Sequence, residues 1–67
     1  MFYSRMKAEL EELIKKIEKL RDFIICSYFQ ELDKREQDLM REQLHYMERY
    51  ASMLTARLEL LYQMIGG

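Results

Sequence analysis

Apolar side chains recur every three or four residues along two segments of the chain, which is the spacing of one face of an α-helix. In the first segment the stripe consists of Met6, Leu10, Leu13, Ile14, Ile17, Leu20 and Ile24. In the second it consists of Met40, Leu44, Met47, Ala51, Leu54, Leu58, Leu61 and Ile65. The pattern predicts one helix over about residues 4–26 and another over about residues 34–65.

Start and stop signals agree with these bounds. Ser4 is the predicted N-cap of the first helix. Asp33 with Glu36 three positions later forms a capping-box pattern that predicts the start of the second helix. The chain has no proline, and its two glycines are Gly66 and Gly67, so nothing interrupts either helix before that point.

The connection over residues 27–33 contains Phe29 and Leu32, whose three-residue spacing predicts a short helical turn rather than a flexible linker. Two long helices joined by a short connection fold back on each other. The predicted fold class is therefore all-α, with an antiparallel two-helix hairpin forming a single domain over residues 1–67.

The second helix carries a further apolar stripe beside the first, formed by Tyr46, Tyr50, Met53, Leu60 and Met64. A single neighbouring helix cannot cover both stripes, and an uncovered one would be a large exposed apolar patch. The chain has 67 residues and one cysteine, so it cannot compensate for a small core with an internal disulfide. We therefore expect a symmetric homo-oligomer, dimeric or larger, with the second helix at its centre.

The charge balance narrows the possible partners. Eleven basic and twelve acidic residues give a formal net charge of −1, which provides no overall attraction to DNA, RNA or anionic lipid. The longest apolar run, Phe23 to Cys26, is far shorter than the roughly 20 residues of a membrane span. Charged residues near the start predict no signal peptide. We expect no membrane and no nucleic-acid partner, and a cytoplasmic protein.

Catalytic chemistry has little support in the sequence. His45, a candidate acid or base, falls on the polar side of the second helix, where a solvated surface histidine is the commoner case. Cys26, a candidate nucleophile, follows two isoleucines and fits a small apolar side chain in the interior better. There is no glycine-rich phosphate loop and no metal-ligand spacing. We predict no enzyme activity, no cofactor and no metal site.

A polar line runs through the apolar zone of the second helix. Gln43, Tyr50 and Arg57 follow one another at seven-residue intervals and therefore share one face of the helix. Arg21 lies in a similar apolar setting on the first helix. An arginine at a helix interface lowers stability unless its charge is paired and its donors are used.

One interpretation of the arginines is structural. In it, Arg57 or Arg21 pairs with an acidic side chain such as Glu36 or Glu48 of a neighbouring chain and thereby fixes the register of the oligomer.

The other interpretation is a ligand site, in which arginines of symmetry-related chains converge on an anion. Arg57 and Arg21 then bind phosphate through bidentate contacts. Tyr50 stacks on a base, and Gln43 or Tyr28 orients it.

The second helix and the residues before it also resemble a known family. The pattern consists of Ile17-Glu18-Lys19-Leu20 and Phe23-Ile24 followed by Leu32, Asp33, Leu39, Gln43, Leu44, Met47, Tyr50, Leu54 and Arg57. Over about residues 8–61 it resembles a family of very short proteins of tailed bacteriophages, named after a gene of a crAss-like phage. The resemblance implies a phage accessory protein that acts in the cytoplasm of the bacterial host.

Small phage proteins of this build often counter host defence, and several unrelated families do so as oligomers that sequester nucleotide signals. By analogy with them, the expected function is non-enzymatic anti-defence. The protein would bind and sequester a cyclic oligonucleotide or a cyclic ADP-ribose-type messenger in pockets between subunits. The alternative is a helical adaptor whose apolar second helix docks on a host or phage protein.

Overall fold

The computed structural model describes residues 2–65 of the chain, with side chains from residue 3 onward. Helix α1 (Phe2–Ile24) is followed by a 3₁₀ helix (Ser27–Glu31) and then by helix α2 (Lys34–Met64). Two α-helices and no strand occur within this described part, which confirms the predicted all-α class. The short helical turn predicted between the helices is the observed 3₁₀ helix.

Helices α1 and α2 lie side by side in a rod of 50 × 15 × 15 Å. Met6 and Glu9, near the start of α1, line a pocket with Arg57, near the end of α2. Phe23, at the other end of α1, lines a groove with Met47. The two helices thus line shared pockets from near the start of α1 to its end.

The buried core is small. Met6 and Ile17 of α1 and Leu54 of α2 are buried, and all three belong to the predicted apolar stripes. The fourth buried residue, Phe29, comes from the 3₁₀ helix and is fully enclosed. The chain between the helices therefore contributes one of its largest apolar side chains to the core.

Phe29 is enclosed by groups from both helices. The ring of Phe23 meets it edge to face, with centroids 6.1 Å apart and an interplanar angle of 89°. The guanidinium carbon of Arg41 lies 5.1 Å from the centroid of Phe29, within cation–π range. These contacts anchor the 3₁₀ helix to the end of α1 and the beginning of α2.

The side-chain amide of Gln37 joins α2 to the segment between the helices by hydrogen bonds. Its Nε2 group lies 3.1 Å from the carbonyl oxygen of Phe29, 2.9 Å from that of Leu32 and 3.3 Å from that of Gln30. The Phe29 carbonyl oxygen also accepts a hydrogen bond from the backbone N–H of Leu32 at 3.1 Å. Carbonyl groups at the end of a helix lack part of their intrahelical partners, and the Gln37 amide provides an additional donor from α2.

The helix ends differ in detail from the prediction. Ser4 lies inside α1, which already includes Phe2, so its predicted role as an N-cap is wrong. Asp33 is the N-cap of α2 by position, but its side chain makes no capping hydrogen bond. Its carbonyl oxygen instead accepts the first helical bond, from the backbone N–H of Gln37 at 3.0 Å. Helix α1 ends at Ile24 rather than at residue 26.

One face of α2 has no covering element. Four apolar residues at strict seven-residue spacing, which we call the α2 row, lie there: Leu39, Tyr46, Met53 and Leu60. Each keeps between 50% and 61% of its surface exposed. The second apolar stripe expected from the sequence, Tyr46, Tyr50, Met53, Leu60 and Met64, shares three members with this row, and all five of its residues are exposed in a single copy. Within residues 2–65, neither helix is long and apolar enough to cross a membrane.

Candidate functional site

A shallow groove of about 450 Å³ runs between the two helices. We call it the tyrosine groove, and its lining residues are Leu13 of α1 and Leu39, Glu42, Gln43, Tyr46, Met47 and Tyr50 of α2. Residues three and four positions apart on α2 share a face, which brings the Gln43 amide and two phenol rings to one open surface. The lining is mostly apolar, as expected of a site that receives a flat ring.

Tyr50 links the groove to α1. Its hydroxyl group donates a hydrogen bond to Oε2 of Glu9 at 3.2 Å. Partial desolvation raises the pKa of the Tyr50 hydroxyl, and the hydrogen bond and the negative charge of Glu9 raise it further. The positive charge of Arg57 acts in the opposite direction on the same pKa. Tyr50, Glu9 and Arg57 thus form one electrostatic cluster.

Arg57 lines a separate pocket of about 280 Å³ together with Arg5, Met6 and Glu9 of α1. We call it the Arg57 pocket. Two guanidinium groups and one carboxylate surround it, so its local charge is positive although the whole chain carries −1. Guanidinium groups bind phosphate and carboxylate oxygens through paired N–H donors. The Arg57 pocket is therefore suited to an anion.

Arg21 lies elsewhere and already has a partner. Its Nε is 3.0 Å from Oε2 of Glu48 in the same chain, and Nη2 reaches the same oxygen. The structural interpretation placed an acidic partner on a neighbouring chain, whereas within one copy Arg21 pairs with Glu48 of its own chain. The pair borders a third groove, also lined by Ile14 and Thr55, that shares no lining residue with the tyrosine groove.

Tyr28 is an exposed residue of the 3₁₀ helix. It lines neither the tyrosine groove nor the Arg57 pocket. Among the five predicted ligand contacts, the structure therefore brings Gln43 and Tyr50 together in one groove, with Arg57 beside them through Glu9. Arg21 and Tyr28 are separate from this group within one copy.

Sequence reasoning missed the contribution of α1 to this site. Arg5 and Glu9 complete the Arg57 pocket, and Leu13 forms one wall of the tyrosine groove. Glu9 and Leu13 are four residues apart, so their common face was visible in the sequence. What the sequence did not contain was the offset that places this face opposite Tyr50.

The two residues considered for catalysis have unremarkable surroundings. His45 is exposed, and its ring centroid lies 5.8 Å from that of the neighbouring Tyr46. Cys26 is half-buried and carries a free thiol. No group of three or more His, Cys, Asp or Glu side chains within residues 2–65 is arranged to hold a metal ion.

Comparison with known proteins gives a family and no individual relative. Neither a curated protein nor a solved structure shows significant similarity to the chain. A family model described as Sequestin matches residues 1–60. This match extends over most of the 67 residues, from α1 almost to the end of α2. The chain therefore belongs to the Sequestin family.

Proposed function

We propose that this protein sequesters a nucleotide second messenger without transforming it. The ligand class is a cyclic oligonucleotide or a cyclic ADP-ribose-type molecule, bound in pockets between subunits of a homo-oligomer of antiparallel hairpins. In this proposal the protein is a phage accessory protein that counters bacterial immunity in the host cytoplasm. The family name itself denotes sequestration and therefore favours binding over catalysis.

The observation that carries the proposal is the adjacency of an anion-binding group and an aromatic groove. Arg5 and Arg57, from different helices, line one pocket, and Tyr50 connects that pocket to the tyrosine groove through Glu9. A nucleotide has the matching parts, since it joins a charged phosphate to a flat base. Arg57 would bind phosphate, with Arg5 as a second donor.

Tyr50 would stack on the base, and Gln43 would hydrogen-bond to its edge. Both line the open tyrosine groove, where a flat ring has access. Arg21 and Tyr28 lie outside this groove, so we assign them to contacts with ligand held mainly by a neighbouring subunit. Nanomolar sequestration needs about 12 kcal/mol, which several arginine–phosphate contacts and a stacked base in a closed interface can supply.

The test is a nucleotide screen of the purified protein by thermal shift and titration calorimetry. Cyclic di-AMP, cyclic GMP–AMP and cyclic ADP-ribose are the probes. A bound messenger should raise the melting temperature and be released chemically intact on heating. Arg57→Ala should weaken capture about 10- to 100-fold, because a charge-assisted contact is lost. The matched control is Arg49→Ala, since Arg49 borders a different groove with His45 and Ser52.

Three outcomes would oppose the proposal. Recovery of the nucleotide in altered form would indicate an enzyme. Equal weakening by Arg49→Ala and Arg57→Ala would show that the Arg57 pocket is not the site. Absence of any thermal shift, combined with a host protein that co-purifies, would favour the helical adaptor, for which the exposed α2 row would be the docking surface.

A further inference from the structure

The α2 row presents a continuous surface for another helix. From Leu39 to Leu60 it extends for about 32 Å at 1.5 Å per residue. A strict seven-residue repeat keeps apolar side chains facing a second helix over several turns. All four members of the row remain at least half exposed beside α1, so α1 is not that second helix.

We infer that the occupant of the α2 row is α2 of a second copy, running antiparallel to the first. The two-fold axis passes the middle of the row, between residues 49 and 50. In such an interface the same surface is used twice, and each contact occurs in two symmetric copies.

The row itself is symmetric about that point. Leu39 and Leu60 are equally distant from it, and so are Tyr46 and Met53. Leu39 of one copy therefore meets the partner's Leu60, and Tyr46 meets the partner's Met53. All four side chains are covered in this register. A shift of one copy by seven residues would leave a terminal member of each row without a partner side chain and exposed to water.

Charges beside the row favour the antiparallel over the parallel direction. Glu42 and Arg57 are also equally distant from the axis, so Glu42 is level with the partner's Arg57 in the gap between two layers of the row. The symmetric copy of this pair gives two opposite-charge contacts. A parallel dimer in register would instead place Glu42 level with the partner's Glu42 and Arg57 level with the partner's Arg57. Repulsion between these like charges opposes association.

The pairing also completes the candidate site, a consequence that rests on the proposed function. Along one copy of α2, Gln43 and Arg57 are 14 positions apart, or about 21 Å, so Arg57 of the same copy lies nearer the Tyr50 end of the tyrosine groove than the Gln43 end. In the antiparallel dimer the partner's Arg57 lies level with Glu42, one position from Gln43. Each tyrosine groove then receives a second arginine, from the other subunit.

Directional disulfide cross-linking tests the pairing on the full chain. In a Cys26→Ser background, Tyr46→Cys and Met53→Cys are prepared as separate variants and mixed under mild oxidation. The antiparallel register predicts a cross-linked dimer in the mixture and little in either variant alone. Efficient cross-linking of Met53→Cys with itself would overturn the proposal, because it would place residue 53 next to its own counterpart.

A charge exchange provides a second measurement that leaves the apolar row intact. Glu42→Arg and Arg57→Glu should each weaken dimerisation about fivefold in sedimentation without nucleotide, and the double variant should restore it. Circular dichroism checks that helix content is unchanged. Failure of the double variant to recover, or a mass that stays at the 8.3 kDa of one copy, would overturn the inference.

These outcomes separate the pairing from the proposed function. A dimer with the predicted cross-links that binds no nucleotide would support the pairing and remove the function. A protein that captures a messenger in an oligomer without the predicted cross-links would remove the pairing and keep the function.

Discussion

The hydroxyl group of Tyr50 and the carboxylate of Glu9 are joined by a hydrogen bond of 3.2 Å between residues 41 positions apart. The contact fixes the end of the tyrosine groove to α1 and places a negative charge between the groove and the Arg57 pocket. Any anion that binds to Arg57 must therefore approach within the field of Glu9, so the Tyr50–Glu9 contact bears on both the fold and the site.

Glu9→Gln should lower the pKa of the Tyr50 hydroxyl, because the acceptor loses its negative charge, whereas Arg57→Ala should raise it by removing a positive charge. The measurement is an NMR titration of ring-labelled tyrosine, with the Tyr50 signal assigned from Tyr50→Phe. Glu12→Gln, at an exposed position of α1, is the control. A Tyr50 pKa that moves in the same direction in both variants would contradict the assigned cluster.

The raised Tyr50 pKa also has a consequence for stability. Since the pKa in the folded state lies above its usual value of 10.0, the stabilisation is complete below that value and is lost as the pH rises through the folded-state pKa. Tyr50→Phe cannot ionise at this position, so it should lose less stability than the parent chain as the pH becomes alkaline. Thermal denaturation of both proteins from neutral to alkaline pH measures the difference.

Phe29 carries a large part of the folding free energy. Phe29→Ala should cost about 3–5 kcal/mol, because a fully buried ring is replaced by a cavity. A domain of this size has roughly 0.05–0.15 kcal/mol of stability per residue, so this single loss approaches the total. Urea denaturation followed by circular dichroism is the measurement.

Tyr28→Ala is the matched control for Phe29→Ala, since Tyr28 occupies the adjacent position of the same 3₁₀ helix and is 65% exposed. Tyr28→Ala should change the free energy of unfolding by no more than about 0.5 kcal/mol. Equal losses in the two variants would mean that the turn, rather than the buried ring, determines stability. Phe29→Leu, which keeps most of the apolar volume, should lie between them.

Helical periodicity was sufficient to predict the two helices, because an uninterrupted stripe such as Met6 to Ile24 can be buried in only one way on a long helix. It also predicted that part of α2 would remain uncovered. Residue spacing could not reveal that Phe29 would be fully buried. That burial depends on Phe23 and Arg41, which come from two different helices and meet only where both helices pack around the 3₁₀ helix.

The candidate site was predicted only as far as one helix can define it. Gln43, Tyr50 and Arg57 share a line on α2 through their spacing alone. The contributions of Arg5 and Glu9 depend on how far α1 is shifted along α2, and no pattern within either helix specifies that shift. The same limit explains Arg21, whose acidic partner was found on its own chain.

Gln37 should stabilise the segment between the helices by donating hydrogen bonds to its carbonyl groups. Gln37→Ala removes the donor to the oxygens of Phe29 and Leu32, both in partly buried contacts, and should cost about 1–3 kcal/mol. Gln37→Glu keeps the size but has no N–H group, so it should cost at least as much. Gln30→Ala, at an exposed position beside the same turn, is the control. Retention of full stability by Gln37→Glu would show that the donor group contributes nothing.

Asp38 should make the stability of the fold depend on pH in the acidic range. The hydrogen bond from Lys34 lowers the pKa of this carboxyl below its usual 3.8, with smaller help from the charges of Lys34 and Arg41 against an opposing effect of desolvation. A lowered pKa means stabilisation that is present above the usual value and lost as the pH falls through the folded-state pKa. Asp38→Asn should therefore melt at a lower temperature at neutral pH.

The difference between Asp38→Asn and the parent chain should disappear once the pH is below the lowered pKa, and high salt should reduce it at neutral pH. Thermal melts across the acidic range measure it. Asp22→Asn, at an exposed aspartate of α1, is the control. A difference between Asp38→Asn and the parent that persists unchanged in acid would mean that the substitution acts through packing rather than charge.

The coupling between Arg21 and Glu48 shows whether Arg21 stabilises a single chain or also contacts a second copy. Its side chains are 57% and 38% exposed, so solvent screens the pair and the coupling free energy should be only about 0.2–1 kcal/mol. A double-mutant cycle of Arg21→Ala and Glu48→Ala in urea denaturation measures it, at low and high salt. If the pair acts only within one chain, the coupling should not change with protein concentration. A coupling that grows with concentration would show that Arg21 also meets an acidic group of a second copy, as the structural interpretation of the sequence predicted.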